Sequence, residues 1–251
     1  MKKHADIVYE NAVPEQTLDI YLPDNTDVSA VFIYFHGGGL ESGDKISAER
    51  FAPYLTERGM AVISANYRMY PKYKYPDFVY DAASVTAFVN EYARRELKCE
   101  KIYVGGSSAG GYLSMMLCFD RKYLESVGID NSQIAGYFHD AGQPTAHYSV
   151  LRYQGISHRR VIVDETAPLY HVGLEEGYPP MRFIISDDDI KGRYEQTMLM
   201  LATLDSFGYT GYDHVVMHGK HCEYCRMFDE DGVSVLGKMI YDFICRVEEK
   251  I

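Results

Sequence analysis

The sequence has no apolar run long enough to cross a bilayer, and the lysines near its start lack the apolar stretch of a secretory signal. It is also short of positive charge: 25 lysines and arginines against 36 aspartates and glutamates leave a net charge of −11. A protein that binds nucleic acid without sequence preference needs a basic surface, and so does one that docks on anionic membranes. We therefore expect no nucleic-acid partner, no membrane partner and a cytoplasmic location.

Cysteine is scarce and odd in number, with five residues scattered along the chain, and tryptophan is absent. A disulfide framework needs paired cysteines in an oxidising compartment, so this count favours a reducing one. The chain also lacks internal repeats, low-complexity tracts and a linker rich in proline, glycine and serine. Its length suits one large α/β domain as well as two small ones, and we expect a single domain over residues 1–251.

What the sequence does have is a regular alternation of strand and helix patterns. Residues 30–35 are continuously apolar, as in a strand buried on both faces, whereas residues 16–22 alternate like an edge or antiparallel strand. Such alternation predicts right-handed crossovers and a mostly parallel sheet, with its chemistry at the carboxyl ends of the strands. The other predicted strands are 60–67, 101–104, 133–139, 181–185 and 212–217, and the predicted helices are 47–58, 77–97, 112–119, 194–207 and 233–247.

The segment Gly106-Ser107-Ser108-Ala109-Gly110 has the form G-x-S-x-G between a predicted strand and a predicted helix. In this motif the central serine occupies a strained turn, and the flanking glycines let strand and helix approach closely. The N-terminal N–H groups of the following helix then point toward an oxyanion. The register of the motif makes Ser108 the candidate nucleophile and Ser107 its rival.

A run of glycines, His36-Gly37-Gly38-Gly39, follows the buried strand 30–35. Consecutive glycines leave backbone N–H groups free to point into a cavity, and acyl transfer needs such donors for its tetrahedral intermediate. We therefore predict an oxyanion hole built from the N–H groups of Gly38, Gly39 and Ala109. His36 is expected to support this loop by hydrogen bonding.

A nucleophilic serine needs a base and an acid that orients the base, and in this type of fold they follow the serine in the order acid, then histidine. Three aspartates follow the predicted strand 181–185. Asp189 is the predicted acid because the acid usually lies a few residues beyond the strand; Asp188 is the next candidate, then Asp187. Asp189 also precedes a helix, so a helix-capping role stays open.

The predicted base is His221, which lies after a glycine-containing turn beyond the last strand. His218 is nearer the strand and is the structural candidate. Cys222 and Cys225 form a C-x-x-C that, with these two histidines, is also compatible with a metal or redox site. We expect no metal there, because no second pair of ligands is evident and a metal would occupy the proposed base.

With these motifs in place, the chain resembles the α/β-hydrolase superfamily, and within it the hormone-sensitive-lipase-like carboxylesterases and acetyl esterases. The resemblance covers nearly the whole chain and is most specific at residues 36–39 and 105–111. It implies a mostly parallel eight-stranded sheet with helices on both faces, no cofactor, and ester hydrolysis through an acyl-serine. Residues 141–178, which are rich in tyrosine, histidine and arginine, are expected to form a small lid insertion.

The function predicted from these features is a serine esterase with Ser108, Asp189 and His221 as catalytic residues. Its substrates would be short-acyl esters, including acetyl or aromatic esters of carbohydrates. Two alternatives stay open: an amidase or peptidase such as an aryl formamidase, and a catalytically silent binding protein. A small-molecule ester is the expected partner, and homo-oligomerisation is left open.

Overall fold

A single sheet forms the centre of the computed structural model, which describes residues 1–10, 12–24 and 27–249. Its strands are β1 Lys2–Val8, β2 Thr17–Leu22, β3 Ala30–Phe35, β4 Met60–Ala65, β5 Ile102–Ser107, β6 Gly136–Asp140, β7 Met181–Asp188 and β8 Tyr212–Lys220. Their spatial order is β1-β2-β4-β3-β5-β6-β7-β8. β2 pairs antiparallel with β1 and β4, and the other neighbours pair in parallel. The predicted eight-stranded, mostly parallel sheet is confirmed.

Helices cover both faces of this sheet. They are α1 Ala52–Thr56, α2 Asp77–Tyr92, α3 Ala109–Phe119, α4 Lys122–Glu125, α5 Tyr148–Tyr153, α6 Arg193–Ser206 and α7 Val235–Glu248. Successive side chains of a strand point to opposite faces, so β3 contributes to two separate cores. Val31 and Ile33 pack with α2, α3 and α6, whereas Phe32 and Tyr34 pack with α1 and α7.

Two predicted helices are not continuous α-helices in the structure. The helix predicted over 47–58 is instead a 3₁₀ helix, Lys45–Arg50, followed by α1. Pro53 stands in the first turn of α1, and it has no N–H to bond the preceding turn, so one continuous helix cannot form. The helix predicted over 77–97 changes from α2 to a π-helical turn at Ala93–Leu97.

The sequence pattern predicts neither β1 nor α4, and it underestimates the strands next to the site. β1 is exposed along almost its whole length and so lacks the apolar alternation of a half-buried strand. β5 continues beyond residue 104 because Gly105, Gly106 and Ser107 all pair with β6. β7 and β8 likewise extend to Asp188 and Lys220, where they still pair with each other.

The carboxyl ends of five strands converge on one edge of the sheet, as expected for an open parallel sheet. His36 follows β3, Ser108 follows β5, Asp140 ends β6, Asp189 follows β7 and His221 follows β8. Residues far apart in sequence are therefore neighbours at this edge. Among the described residues, no helix is both long and apolar enough to cross a membrane.

Candidate active site

Ser108 occupies the turn between β5 and α3 in a strained backbone conformation with a positive φ, at φ 56° and ψ −110°. Its N–H donates to the Asp140 carbonyl at 2.7 Å, which fixes the turn against the end of β6. The Ser108 side chain is partly exposed, whereas Ser107 is buried and its hydroxyl is bonded to Asp140 and to Tyr34. Of the two serines, only Ser108 therefore presents its hydroxyl to an incoming molecule.

The turn is possible because the flanking glycines lie against backbone. A Cβ on Gly110 would stand 1.8 Å from the Phe35 carbonyl oxygen, and one on Gly106 would stand 2.5 Å from the same atom. The Phe35 carbonyl belongs to β3, so it cannot move aside without breaking the pairing of β3 with β5. Close packing therefore requires both glycines in this strand-to-helix turn, which we call the elbow.

Replacing Gly110 by alanine should therefore lower the free energy of unfolding by about 3 kcal/mol, the upper range for overpacking a rigid site. Gly177→Ala is the matched control, because no atom lies within 4 Å of a Cβ there; we expect it to change stability by less than about 0.5 kcal/mol. Urea denaturation of both variants measures the difference. If the Gly110 variant is as stable as the parent, the elbow can accommodate a methyl group at this position.

Ser108, His221 and Asp189 form a continuous hydrogen-bonded chain. The Ser108 hydroxyl lies 2.8 Å from Nε2 of His221, and Nδ1 of the same ring lies 2.5 Å from Oδ1 of Asp189. The Asp189 side chain is 1% exposed and that of His221 is 20% exposed. A buried carboxylate, an imidazole and a serine hydroxyl in this order are the parts needed to activate an oxygen nucleophile.

The other two aspartates of the acid loop point elsewhere. Asp187 accepts from the Gly219 N–H at 2.9 Å and lies 2.5 Å from Nδ1 of His218, a ring that is 96% exposed. Asp188 is exposed and lies opposite Lys220 in the pairing of β7 with β8. Asp187 and His218 therefore form a second aspartate–histidine pair that does not contact Ser108.

The protonation of His221 depends on three influences. Burial lowers its pKa, but the hydrogen bonds to Asp189 and Cys222 and the charges of these neighbours outweigh burial and raise the pKa to about 9. Sγ of Cys222 lies 3.7 Å from Nε2, the same nitrogen that faces Ser108. The ring is thus a strong base held between a serine hydroxyl and a thiol.

The glycine loop after β3 has the backbone conformation that only glycine adopts readily, with φ of 122° at Gly38 and 68° at Gly39. The N–H groups of these residues and of Ala109 donate to no other described residue. His36 supports the loop as predicted: its Nδ1 lies 2.7 Å from the Gly37 carbonyl oxygen. The loop and the first turn of α3 therefore offer free donors next to Ser108.

Helix α5, inside the predicted lid segment 141–178, braces this loop. The Ser149 hydroxyl donates to the Gly39 carbonyl at 2.5 Å, and Arg152 forms an ion pair with Glu41 at 2.9 Å. A Cβ on Gly39 would lie 2.0 Å from the Tyr148 hydroxyl, so this tyrosine stands directly against the loop. Helix α5 therefore holds the loop that carries two of these donors.

The sequence prediction missed a buried polar cluster behind the elbow. Asp140 is fully buried and accepts hydrogen bonds from Ser107, from Tyr224 and from Cys225, the last at 3.2 Å. Burial raises the pKa of the Asp140 carboxyl, although its hydrogen-bond donors oppose the shift. The signal that could have found it is its position, the last residue of a buried strand at the site edge.

The same cluster brings one carboxylate and two thiols of the described residues close together. One oxygen of Asp140 and the sulfurs of Cys222 and Cys225 lie within 4.8 Å of one another. His218, which the sequence placed beside these cysteines, instead points into solvent toward Asp187. The C-x-x-C therefore contacts the buried Asp140 and not His218.

Comparisons with known proteins agree with this architecture. A probable isoprenylcysteine alpha-carbonyl methylesterase of Arabidopsis thaliana is 33% identical over 139 residues, which cover 53% of this chain and 29% of that protein. An acetyl esterase of Salmonella schwarzengrund is 31% identical over 101 residues, 39% of this chain and 31% of that protein. The chain spans about a third of the length of the curated relatives that it matches.

Solved structures match over nearly the whole chain. Esterase B of Lactobacillus rhamnosis superposes with a TM-score of 0.79 at 19% identity, covering 99% of this chain and 87% of that one. A thermophilic esterase of Thermogutta terrifontis gives a TM-score of 0.76 at 22% identity, covering 96% and 93%. The fold is that of an α/β-hydrolase.

Residues 18–144, about half of the chain, match the sequence profile of the BD-FAE family. The protein belongs to the BD-FAE family. This match, together with relatives named esterases and lipases, confirms the resemblance to esterase-type α/β-hydrolases drawn from the motifs.

Proposed function

We propose that the protein is a serine esterase that cleaves short-acyl carboxylic esters through an acyl-serine intermediate. The observation that carries this proposal is the hydrogen-bonded chain from Ser108 through His221 to a buried Asp189. The names of the relatives support the same reaction, since they include a methylesterase, an acetyl esterase and a carboxylic ester hydrolase.

In the proposed reaction, His221 accepts the Ser108 proton while Oγ attacks the ester carbonyl. Asp189 holds the ring in the tautomer that leaves Nε2 free and stabilises the imidazolium that forms. His221 then protonates the leaving alcohol, and the acyl-serine remains. A water molecule repeats the sequence, with the histidine first as base and then as acid, and releases the carboxylic acid.

The charge that develops on the carbonyl oxygen needs donors that are already in place. The N–H groups of Gly38, Gly39 and Ala109 would supply them, and a single such donor contributes on the order of 3 kcal/mol to lowering the barrier. The brace from α5 supports this role, because the Ser149 bond to the Gly39 carbonyl restricts the loop. Preformed donors cost no reorganisation when the intermediate forms.

Short acyl groups are proposed because α5 packs against the oxyanion loop. Tyr148 stands against Gly39, and the pair of Arg152 with Glu41 closes the same side of the loop. A long acyl chain would have to displace these contacts. The neighbouring structures support small acyl groups, since the Thermogutta esterase has been solved with propionate and with butyrate bound.

The test of the proposed function is a panel of p-nitrophenyl esters of rising acyl length, with the p-nitroanilide of the best acyl group beside them. We expect kcat/KM to be highest for acetate or butyrate, to fall for octanoate, and to be far lower for the anilide. Acetylated sugars and feruloyl esters then identify the alcohol side. Higher turnover of the anilide would favour an amidase, and a silent panel would favour a binding protein.

The pH dependence of the esterase follows from the protonation of His221. Only the neutral ring can take the Ser108 proton, and its pKa is raised to about 9. Because the charged form predominates below that value, kcat/KM should rise from neutral pH toward about pH 9 and level off above it. Initial rates with p-nitrophenyl acetate, corrected for spontaneous hydrolysis, measure the profile.

Cys222→Ser is the matched variant for this profile. Serine keeps the size of the side chain but carries no thiolate charge, so the rise in kcat/KM should move to lower pH. A parent profile already level at neutral pH would contradict a raised pKa at His221. A Cys222→Ser profile identical to the parent would show that the thiol does not act on the ring.

A further inference from the structure

Cys222 and Cys225 lie one turn apart, immediately after His221. The Cys225 N–H donates to the Cys222 carbonyl at 3.2 Å, the bond of a tight turn. Such a turn brings its first and fourth Cα atoms within about 7 Å, close to the range that a disulfide spans. Both cysteines are free thiols and partly exposed, and this turn is compatible with an intramolecular disulfide.

Each thiol has a different polar neighbour. The Cys225 thiol donates to a carboxylate oxygen of the fully buried Asp140 at 3.2 Å. Sγ of Cys222 lies 3.7 Å from Nε2 of His221. One thiol therefore has a proton acceptor beside it, and the other has a ring that stabilises a thiolate when protonated.

We propose that Cys222 and Cys225 are a redox-active dithiol that a low-molecular-weight disulfide oxidises to an intramolecular disulfide. The proposal rests on the proximity of the two sulfurs and of Asp140, all within 4.8 Å of one another. It does not depend on the proposed esterase function. The directions of the thiol pKa values agree with it: hydrogen bonding between the thiols lowers the pKa of Cys222 and raises that of Cys225.

The oxidation has two exchange steps. Cys222 first releases its proton to solvent, and its thiolate then attacks one sulfur of the external disulfide, forms a mixed disulfide and releases the first thiolate. Cys225 then passes its proton to Asp140 and attacks the Cys222 sulfur, which forms the internal disulfide and releases the second thiolate. The protein loses two protons and two electrons, the external disulfide takes up the electrons, and its two thiolates are protonated by solvent and by Asp140.

The consequence for the site, which rests on the proposed function, runs through His221. In the dithiol state the Cys222 sulfur helps to raise the pKa of the ring. A disulfide sulfur has neither charge nor proton, so the oxidised form should bind the His221 proton less tightly and reach full activity at lower pH. The titratable groups that act on this pair from the surrounding elements are Tyr34, Asp140, Arg193, His221 and Tyr224.

The experiment equilibrates the folded protein in buffers of rising glutathione disulfide to glutathione ratio. Thiol titration then counts the thiols that are lost, and intact mass shows whether glutathione has been added. We expect the parent to lose two of its five thiols with no glutathione attached. Cys225→Ser should accumulate a mixed disulfide at Cys222, because nothing resolves it, and Cys222→Ser should lose no thiol pair. Cys245→Ser, on α7, is the control and should still lose two thiols.

Several outcomes would overturn the dithiol proposal. They are retention of all thiols across the series, a stable glutathione adduct on the parent, or loss of thiols that the Cys222 variant does not prevent. Stoichiometric binding of Zn²⁺ that keeps both thiols reduced in the same buffers would show a metal centre in its place.

The rate profile of the oxidised parent separates the two proposals. A disulfide that forms in a protein without ester turnover would contradict the proposed function, but the proposal of a redox-active dithiol would stand. A disulfide that forms without moving the pH profile would refute the coupling to His221.

Discussion

Replacing Ser108 by alanine should lower kcat for p-nitrophenyl acetate by about 10⁶-fold, the loss expected when the nucleophile of a serine–histidine–aspartate site is removed. The reason is geometric as well as chemical. Ser108 is the only hydroxyl bonded to Nε2 of His221 among the described residues, and its strained turn holds it there. Steady-state rates on purified protein, with circular dichroism as a check of folding, measure the loss.

Ser107→Ala is the matched control for this prediction. Ser107 is the adjacent residue of the same type, but its hydroxyl is bonded to Asp140 and cannot reach His221 without leaving that partner. We expect the variant to keep activity within about tenfold of the parent and to lose about 1 kcal/mol of stability. A fluorophosphonate probe should label the parent and the Ser107 variant, but not Ser108→Ala. Ser108→Ala activity within a few-fold of the parent would remove this serine as the nucleophile.

The parts of the site that the sequence predicts are those in which a short segment determines its own geometry. The G-x-S-x-G segment can turn sharply against β3 because only glycine, which has no Cβ, fits at positions 106 and 110. The buried strand at Ala30–Phe35 is equally legible, since a strand covered on both faces is continuously apolar. The order of elements then places the acid and the base beyond later strands.

The parts that the sequence does not predict depend on contacts between distant segments. Asp140, Tyr224 and Cys225 meet only because β6 and the loop after β8 converge at one edge of the sheet. The end of a buried strand marks Asp140 as a candidate, but Tyr224 and Cys225 stand 84 and 85 residues further along the chain, so no local pattern joins the three. β1 is missed for a related reason: it is held by pairing with β2, not by an apolar face of its own.

The three consecutive aspartates after the predicted strand 181–185 show the same limit of prediction from sequence. Asp187, Asp188 and Asp189 are chemically identical, and their spacing alone orders them only by distance from the strand. The structure separates them, because β7 continues through Asp188 and its pairing with β8 directs Asp187 toward the exposed His218. The chain then leaves the sheet, and the next carboxylate turns inward to His221.

Asp189→Asn should therefore lower kcat by about 10⁴-fold, while Asp188→Asn should stay within about twofold of the parent. An asparagine amide at position 189 can donate to Nδ1 of His221, which places the ring proton on Nε2. That nitrogen can then no longer accept the proton of Ser108, and the imidazolium loses its stabilising charge. Rates with p-nitrophenyl acetate for the two variants, measured side by side, give the comparison.

His218→Ala extends this comparison to the second aspartate–histidine pair. Because His218 is 96% exposed and bonded to Asp187, it can neither orient His221 nor accept a proton from Ser108. The variant should keep the parent kcat. Equal losses in the Asp188 and Asp189 variants, or a large loss in His218→Ala, would mean that the acid loop rearranges when substrate binds. Selective loss at Asp189 would assign orientation of the base to the one carboxylate of the three that is buried.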